Sequence, residues 1–194
     1  MLFSANRRAE LPEEFQMASY LGNQAASFIQ RNRDQSFILY VSTFEPHSPN
    51  KGPLDDMYDP EELPVGPAFL KKPKGGSLLN RIRADYYLKY MGDSDGFNAD
   101  NYMTSYASAF NDITTEAGWK RLRARYFANI TLVDRMVGKI TSALDNAGIA
   151  EETVVVFTSE HGDHLGDHGL LEKRSFYEES SRVPLLMRVP WLSE

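Results

Sequence analysis

Three stretches of the chain repeat apolar residues at helical spacing. Apolar side chains recur every three or four positions across 13–33, and again in a segment that contains Leu78, Ile82, Tyr86 and Tyr90. The longest such pattern runs over 115–147 and stops at Gly148, and glycine commonly follows the last turn of a helix. The sequence therefore predicts three amphipathic helices, of which the third is the longest.

Continuous apolar runs predict three strands between and after these helices. They are SFILYVSTF at 36–44, TVVVFTS at 153–159 and VPLLMRV at 183–189. Runs rich in branched and aromatic residues, without polar alternation, are typical of strands that are buried on both faces. Helix, short turn and buried strand is the order found in α/β proteins with parallel strands. The expected fold class is thus α/β, with a mostly parallel central sheet flanked by helices.

An irregular segment at about 46–76 follows the first predicted strand. It holds most of the ten prolines of the chain, several acidic residues and the pair Gly75-Gly76. Because regular periodicity resumes after it, we interpret this segment as a long surface loop rather than a linker between domains. Loops of this length often border a binding site.

Composition and charge narrow the class of partner. A chain of 194 residues with 42% hydrophobic residues can bury a core as one domain. Its net charge of -6 and lack of a long basic run argue against a nucleic-acid partner. No apolar run approaches the roughly 20 residues that span a bilayer, and no segment resembles a secretion signal, so the compartment stays open. The absence of cysteine excludes disulfides, thiolate metal sites and a cysteine nucleophile within this chain.

Chemically versatile side chains follow two of the predicted strands. His47 comes just after the first strand, and the sequence EHGDHLGDH at 160–168 follows the second. Ligands of open α/β sheets bind at the carboxyl ends of strands, so the two groups are expected to face one crevice. Carboxylate and imidazole donors suit zinc or a manganese-type cation, whereas calcium takes nearly all-oxygen shells. Glu160 and His161 are candidate metal ligands, and the plain alternative is a solvated acidic loop.

Two sets of motifs resemble those of a known enzyme family. The run from Val133 to Pro184 contains VDRMVG, TVVVFTSEHGDHLGDHGLLEK, YEE and RVP, and it is similar to the second half of a sulfatase of the alkaline phosphatase superfamily. The earlier FILYVSTFEPHSP resembles a strand and Pro-His-x-Pro turn of the same family. The resemblance implies that 1–194 is part of an alkaline-phosphatase-like sandwich. It also places the segment at 46–76 where the family has a variable insertion.

The resemblance implies a role for four residues. Glu160 and His161 fall on positions that bind a divalent metal, usually calcium in sulfatases, with manganese or zinc as alternatives. Lys173 falls on the lysine that contacts the sulfate group, and His47 on the histidine that contacts substrate or leaving group. Cations and imidazole donors suit this task because they stabilise charge that develops on an ester oxygen. The other polar residues of the loop are expected to shape the turn or orient the ligands: Asp163, His164, Asp167 and His168.

The chain departs from the family pattern in two places. Glu160 stands where the family has aspartate, and one extra methylene moves the carboxylate by about 1.5 Å, so an altered metal preference is a hypothesis. The family's nucleophile is a formylglycine made within a Cys/Ser-x-Pro-x-Arg motif, and no such motif occurs here. We therefore interpret the chain as a fragment of a catalytic domain that is inactive by itself. An unpaired sheet edge in such a fragment would favour homo-oligomers.

Three functions remain open at the level of the sequence. The first is hydrolysis of a small-molecule or carbohydrate sulfate ester by the intact protein, with formylglycine and a metal. The second is a phosphonate monoester or phosphodiester hydrolase of the same superfamily, in which similar Asp-His-Gly turns occur. The third is a non-enzymatic metal- or anion-binding module, a degenerate paralogue. The identity of the nucleophile segment would separate the first two, and titration with metals and sulfate would test the third.

Overall fold

The computed structural model describes residues 11–48, 50–92 and 112–192. Within these residues the helices are α1 (Met17–Asn32), α2 (Leu78–Leu88), α3 (Glu116–Ala147) and α4 (Glu178–Ser181), the strands are β1 (Val155–Thr158) and β2 (Leu185–Arg188), and short 3₁₀ turns lie at Glu13–Phe15 and Ala150–Glu152. The three helices predicted from periodicity are thus confirmed. None of the helices in these ranges has the length and apolarity needed to cross a membrane.

Both ends of α3 are capped as its sequence suggests. The Thr115 hydroxyl accepts a hydrogen bond from the Gly118 amide at 3.0 Å, which satisfies one of the free donors of the first turn. Gly148 closes the helix with φ 73°, and its amide donates to the carbonyls of Leu144 and Asp145. Because that backbone conformation strains other residues, glycine is the suitable residue for this position.

The core has two parts, which both use α3. The small residues Ala18, Gly22 and Ala25 let α1 lie close along α3, and Ile29 fills the space beside Leu144. The second part surrounds Trp119 and joins α2, α3 and the loop after β1; its buried members are Tyr87, Ile113, Trp119, Leu122, Leu165 and Leu171. The loop that bears the candidate metal ligands is therefore anchored in the core by two leucines.

The strands differ from the prediction. β1 and β2 pair in antiparallel register, with Val155 opposite Arg188 and Thr158 opposite Leu185. This pair does not supply the parallel sheet, which stays a prediction. Residues 36–44 are extended, but they form no ladder with another described residue.

The prediction that 36–44 is buried on both faces is wrong for this structure. Phe37, Leu39 and Val41 pack on the helices, whereas Ile38 is 98% and Tyr40 88% exposed. An apolar run indicates that both faces of a strand are suited to burial. It does not show which residues cover those faces. In the described part of the chain, α1 and α3 cover one face only.

The proline-rich segment predicted to be irregular crosses α3 and ends on the loop after β1. Its described residues contain no helix or strand, apart from an isolated bridge between Phe69 and Asp167. Asp55 pairs with Arg125 of α3 at 3.1 Å. At the far end the Leu70 amide donates to the Gly166 carbonyl at 2.9 Å. These contacts tie the segment to the loop that carries the candidate site.

Candidate active site

The loop after β1 is held by its own backbone. The Gly162 amide donates to the Ser180 carbonyl at 2.8 Å, and the His164 amide donates to the Glu172 carbonyl at 2.9 Å. A Cβ atom at Gly162 would lie 2.1 Å from the Glu179 carbonyl oxygen, so only glycine allows this close approach. The loop therefore has a defined shape although it contains no helix or strand.

The two predicted catalytic residues meet in the structure. Lys173 Nζ lies 2.5 Å from His47 Nε2, although the two residues are 126 positions apart. His47 Nδ1 lies 3.1 Å from the Ser48 carbonyl oxygen. Since a carbonyl can only accept, Nδ1 carries the ring hydrogen and Nε2 accepts from the Lys173 ammonium. The expectation that the ends of the first two predicted strands face one crevice agrees with this contact.

The two predicted metal ligands are adjacent and accessible. Glu160 Oε1 lies 3.1 Å from His161 Nε2, and the Glu160 side chain is 85% exposed. The other ring nitrogen of His161, Nδ1, lies 2.8 Å from the Gly162 carbonyl oxygen and donates to it, while Nε2 faces the Glu160 carboxylate.

These two donors fit one side of a metal shell but cannot complete it. Zinc takes about four ligands and calcium about six to eight. The described residues contain no cluster of three or more His, Cys, Asp or Glu side chains suited to a metal ion. A carboxylate and an imidazole beside one another are suitable donors for a divalent cation, and any further ligands must come from other residues.

Asp163 and His164 lie inside the loop and support its shape. Asp163 Oδ1 accepts from the amides of Leu165 and Glu172, both at 3.1 Å. Burial raises the pKa of the Asp163 carboxyl to about 6. His164 is fully buried with Nε2 2.7 Å from Ser175 Oγ, and burial lowers its pKa to about 4. These residues hold the turn, in agreement with the role expected for them.

The remaining polar residues of the loop pack against neighbouring side chains. The His168 ring stacks on Tyr177 with centroids 4.0 Å apart, and its Nε2 lies 3.4 Å from Glu179 Oε2. Asp167 Oδ2 lies 3.6 Å from Arg123 Nη1. Burial raises the pKa of Asp167, and the Arg123 charge opposes that rise. Neither residue approaches the pair formed by Lys173 and His47 through any described hydrogen bond.

Sequence reasoning missed Arg83, a buried residue of α2 that contacts the backbone around Lys173. Its guanidinium donates to the carbonyls of Leu171 at 2.8 Å and of Lys173 at 2.9 Å. The available signal was its position on the buried face of α2, which consists of Asn80, Arg83, Ala84 and Tyr87. Leu78 and Ile82 dominate the apolar pattern of that helix, yet they are 64% and 55% exposed. The apolar stripe therefore pointed to the wrong face.

The chain is similar to sulfatases and related proteins over most of its length. A sequence model of the family described as Sulfatase matches residues 6–192. The choline-sulfatase of Rhizobium meliloti (strain 1021) is 40% identical over 182 residues, which cover 90% of this chain and 31% of that protein. The multifunctional alkaline phosphatase superfamily protein PehA of Trinickia caryophylli is 26% identical over 187 residues, which cover 95% of this chain and 35% of that protein.

A solved structure has a similar fold. The phosphonate monoester hydrolase SpPMH from Silicibacter pomeroyi superposes with a TM-score of 0.71 and 24% identity, over 94% of this chain and 34% of that one. The fold belongs to the α/β class and is similar to that of this hydrolase, and the sequence is similar to that of a protein named for the alkaline phosphatase superfamily. Within that class, the chain belongs to the sulfatase family. It spans about a third of the length of these two curated relatives, 31% and 35%.

Proposed function

We propose that the intact protein hydrolyses a sulfate ester, and that this chain supplies residues that bind the sulfate group and part of the metal shell. The observation that carries the proposal is the contact between Lys173 Nζ and His47 Nε2 at 2.5 Å. It brings together, from distant segments, the two residues that the family pattern assigns to the sulfate and the leaving group. Family membership supports the reaction class.

Lys173 and His47 suit the charge changes of this reaction. A sulfate ester is an anion, and negative charge builds up on the departing oxygen as the ester bond breaks. The Lys173 ammonium, half-buried and held against His47, can donate to a sulfate oxygen and stabilise that charge. His47 has its Nδ1 hydrogen held by the Ser48 carbonyl, so its Nε2 can accept a proton once the Lys173 ammonium donates to a sulfate oxygen instead.

Glu160 and His161 are the residues of this chain that would hold a divalent cation. When bound, such a cation polarises the ester oxygens as a Lewis acid. Calcium is the metal implied by the resemblance, and the imidazole donor of His161 leaves manganese or zinc as alternatives. The remaining ligands would come from residues outside this pair.

The nucleophile is proposed to lie elsewhere in the intact protein. No Cys/Ser-x-Pro-x-Arg motif occurs in the sequence, so the chain by itself is proposed to be inactive. We also propose that 36–44 and β1 join a mostly parallel central sheet in the intact fold. The exposure of Ile38 and Tyr40, at 98% and 88%, supports this because such residues are seldom left in water on one face of a strand.

Phosphonate monoester hydrolysis is the second candidate. The fold similarity to SpPMH supports it, since a phosphonate monoester is also a tetrahedral anion that Lys173 could bind. The alternative does not change the roles proposed for His47 and Lys173. It changes the substrate on which they act.

Activity of the longer protein that contains this chain tests the proposal. We expect turnover of choline sulfate or p-nitrophenyl sulfate, and a fall of about 100-fold or more in kcat/KM when Lys173→Ala removes the cation. Lys74→Ala, which alters an exposed lysine of the proline-rich segment, should leave kcat/KM unchanged. Faster turnover of p-nitrophenyl phenylphosphonate than of any sulfate ester would favour the second candidate. No turnover of either class, with metal binding retained, would leave the binding module as the better explanation.

A further inference from the structure

The backbone that carries Lys173 adopts a conformation that ordinary residues avoid. Glu172 and Arg174, the residues on either side, have φ of 59° and 76°. Both values lie in the left-handed region, which is unfavourable for side chains larger than glycine. Neither residue lies in a helix or a strand. Other contacts must therefore hold this segment in place.

Arg83 supplies the first of these contacts. It reaches from α2 to three carbonyls of the segment: Nη2 donates to the Leu171 carbonyl at 2.8 Å, and Nη1 donates to the carbonyls of Lys173 at 2.9 Å and Arg174 at 3.4 Å. The residue is 4% exposed. A planar guanidinium has several donors in fixed directions, so it can bind more than one carbonyl at the same time. Besides these carbonyls, the Arg83 side chain forms a hydrogen bond with the Tyr87 side chain of the same helix.

Asp163 and His164, in the loop after β1, hold the same segment through residue 172. Asp163 Oδ1 accepts from the Glu172 amide at 3.1 Å, and the His164 amide donates to the Glu172 carbonyl at 2.9 Å. Residue 172 is thus tied to the loop after β1, while the carbonyls of 171, 173 and 174 are tied to α2. The main chain on both sides of Lys173 is fixed by hydrogen bonds to buried groups.

We propose that Arg83 is a positioning residue for Lys173, which rests on the function proposed above. Lysine has a flexible four-carbon side chain, so the place of its ammonium depends on where its Cα is held. By binding three carbonyls, Arg83 fixes that Cα and lets Nζ meet His47 Nε2 at 2.5 Å. Arg83 does not touch the proposed substrate. Its loss is expected to act through Lys173 alone.

A spectroscopic test needs no catalytic activity. In the chain labelled with ¹⁵N-histidine, His47 should show the tautomer with hydrogen on Nδ1, because its Nε2 accepts from Lys173. Arg83→Met keeps an apolar side chain of similar length but removes all donors, and it should shift the His47 signals toward those of Lys173→Met. The control is Arg81→Met, an exposed arginine of the same helix, which should leave His47 unchanged.

The outcomes of that test are distinct. A folded Arg83→Met chain, with helical circular dichroism equal to wild type and His47 signals unaltered, overturns the proposal. If Arg83→Met does not fold, Arg83→Lys decides the matter, since one ammonium cannot bind three separated carbonyls. His47 signals between those of wild type and Lys173→Met support the proposal in that variant, and wild-type signals overturn it.

Kinetics of the longer protein give a second test. If Arg83 acts through Lys173, the double variant Arg83→Met with Lys173→Met should lose no more kcat/KM than Lys173→Met alone, within about twofold. Losses that multiply would show that Arg83 has an effect independent of Lys173 and would contradict the proposal. Failure of the wild-type protein to hydrolyse any ester refutes the proposed function only. The His47 signals still report on the positioning role in that case.

Discussion

Replacing His164 with glutamine should change how the stability of the chain depends on pH. His164 is fully buried, with Nε2 hydrogen-bonded to Ser175 Oγ at 2.7 Å. Its Nδ1 has no hydrogen-bond partner among the described residues. Glutamine retains an amide that can reach Ser175 but does not titrate. The substitution therefore removes the proton-binding group while it preserves much of the packing.

The magnitude follows from the pKa of the buried ring. Burial lowers the His164 pKa from 6.5 to about 4. The unfolded chain then binds a proton more readily than the folded chain, so stability is complete above pH 6.5 and falls as the pH drops toward 4. Each unit of pKa difference corresponds to about 1.4 kcal/mol. The free energy of unfolding of wild type should therefore fall, through this group, by roughly 2 kcal/mol at pH 5 and roughly 3 kcal/mol at pH 4.

Urea unfolding at pH 7.5, 6 and 5 measures this effect. Fluorescence of Trp119, which is fully buried, reports the loss of the core. The free energy of unfolding of His164→Gln should rise by roughly 2 kcal/mol relative to wild type as the pH is lowered from 7.5 to 5, whatever the difference in stability between the two at pH 7.5. Ser175→Ala is the control: it removes the hydrogen-bond partner but keeps the titrating ring, so it should lower stability without flattening the pH dependence. If wild type and His164→Gln remain parallel within about 0.5 kcal/mol, the reasoning is refuted.

Three further predictions concern the same loop. Burial raises the Asp163 pKa from 3.8 to about 6, so the contribution of this group to stability is present below pH 3.8 and lost as the pH rises through 6. The free energy of unfolding of Asp163→Asn should therefore rise by roughly 1 kcal/mol relative to wild type between pH 5 and 7.5 in urea unfolding, and a constant difference would contradict this. Gly162→Ala would bring Cβ within 2.1 Å of the Glu179 carbonyl oxygen and should lower the free energy of unfolding by roughly 3 kcal/mol. Gly138→Ala on α3, where a Cβ meets open space, should raise it by at most about 1 kcal/mol, and equal effects of the two variants in thermal unfolding would exclude the steric explanation. Glu160→Asp should change the ratio of calcium to manganese affinity in calorimetry, and unchanged affinities would count against a role in metal binding.

The helices could be predicted because they depend on neighbouring residues. A repeat of three to four positions defines a helical face wherever it occurs, and Thr115 and Gly148 end α3 through contacts within one turn. The assignment of the adjacent residues Glu160 and His161 as metal ligands remains a prediction. Family motifs added Lys173 and His47, whose spacing of 126 positions gives no local signal.

The tertiary structure alone determined the contacts between distant segments. Arg83 occupies a buried position of α2 because three backbone carbonyls across the loop satisfy its donors, and nothing in the sequence around it indicates those partners. Ile38 and Tyr40 are exposed although their run is apolar, since burial depends on what covers a strand. The sequence therefore determined which side chains are available and where the helices lie. Long-range packing decided which of these side chains meet, because a buried polar group is stable only where the fold supplies its partner.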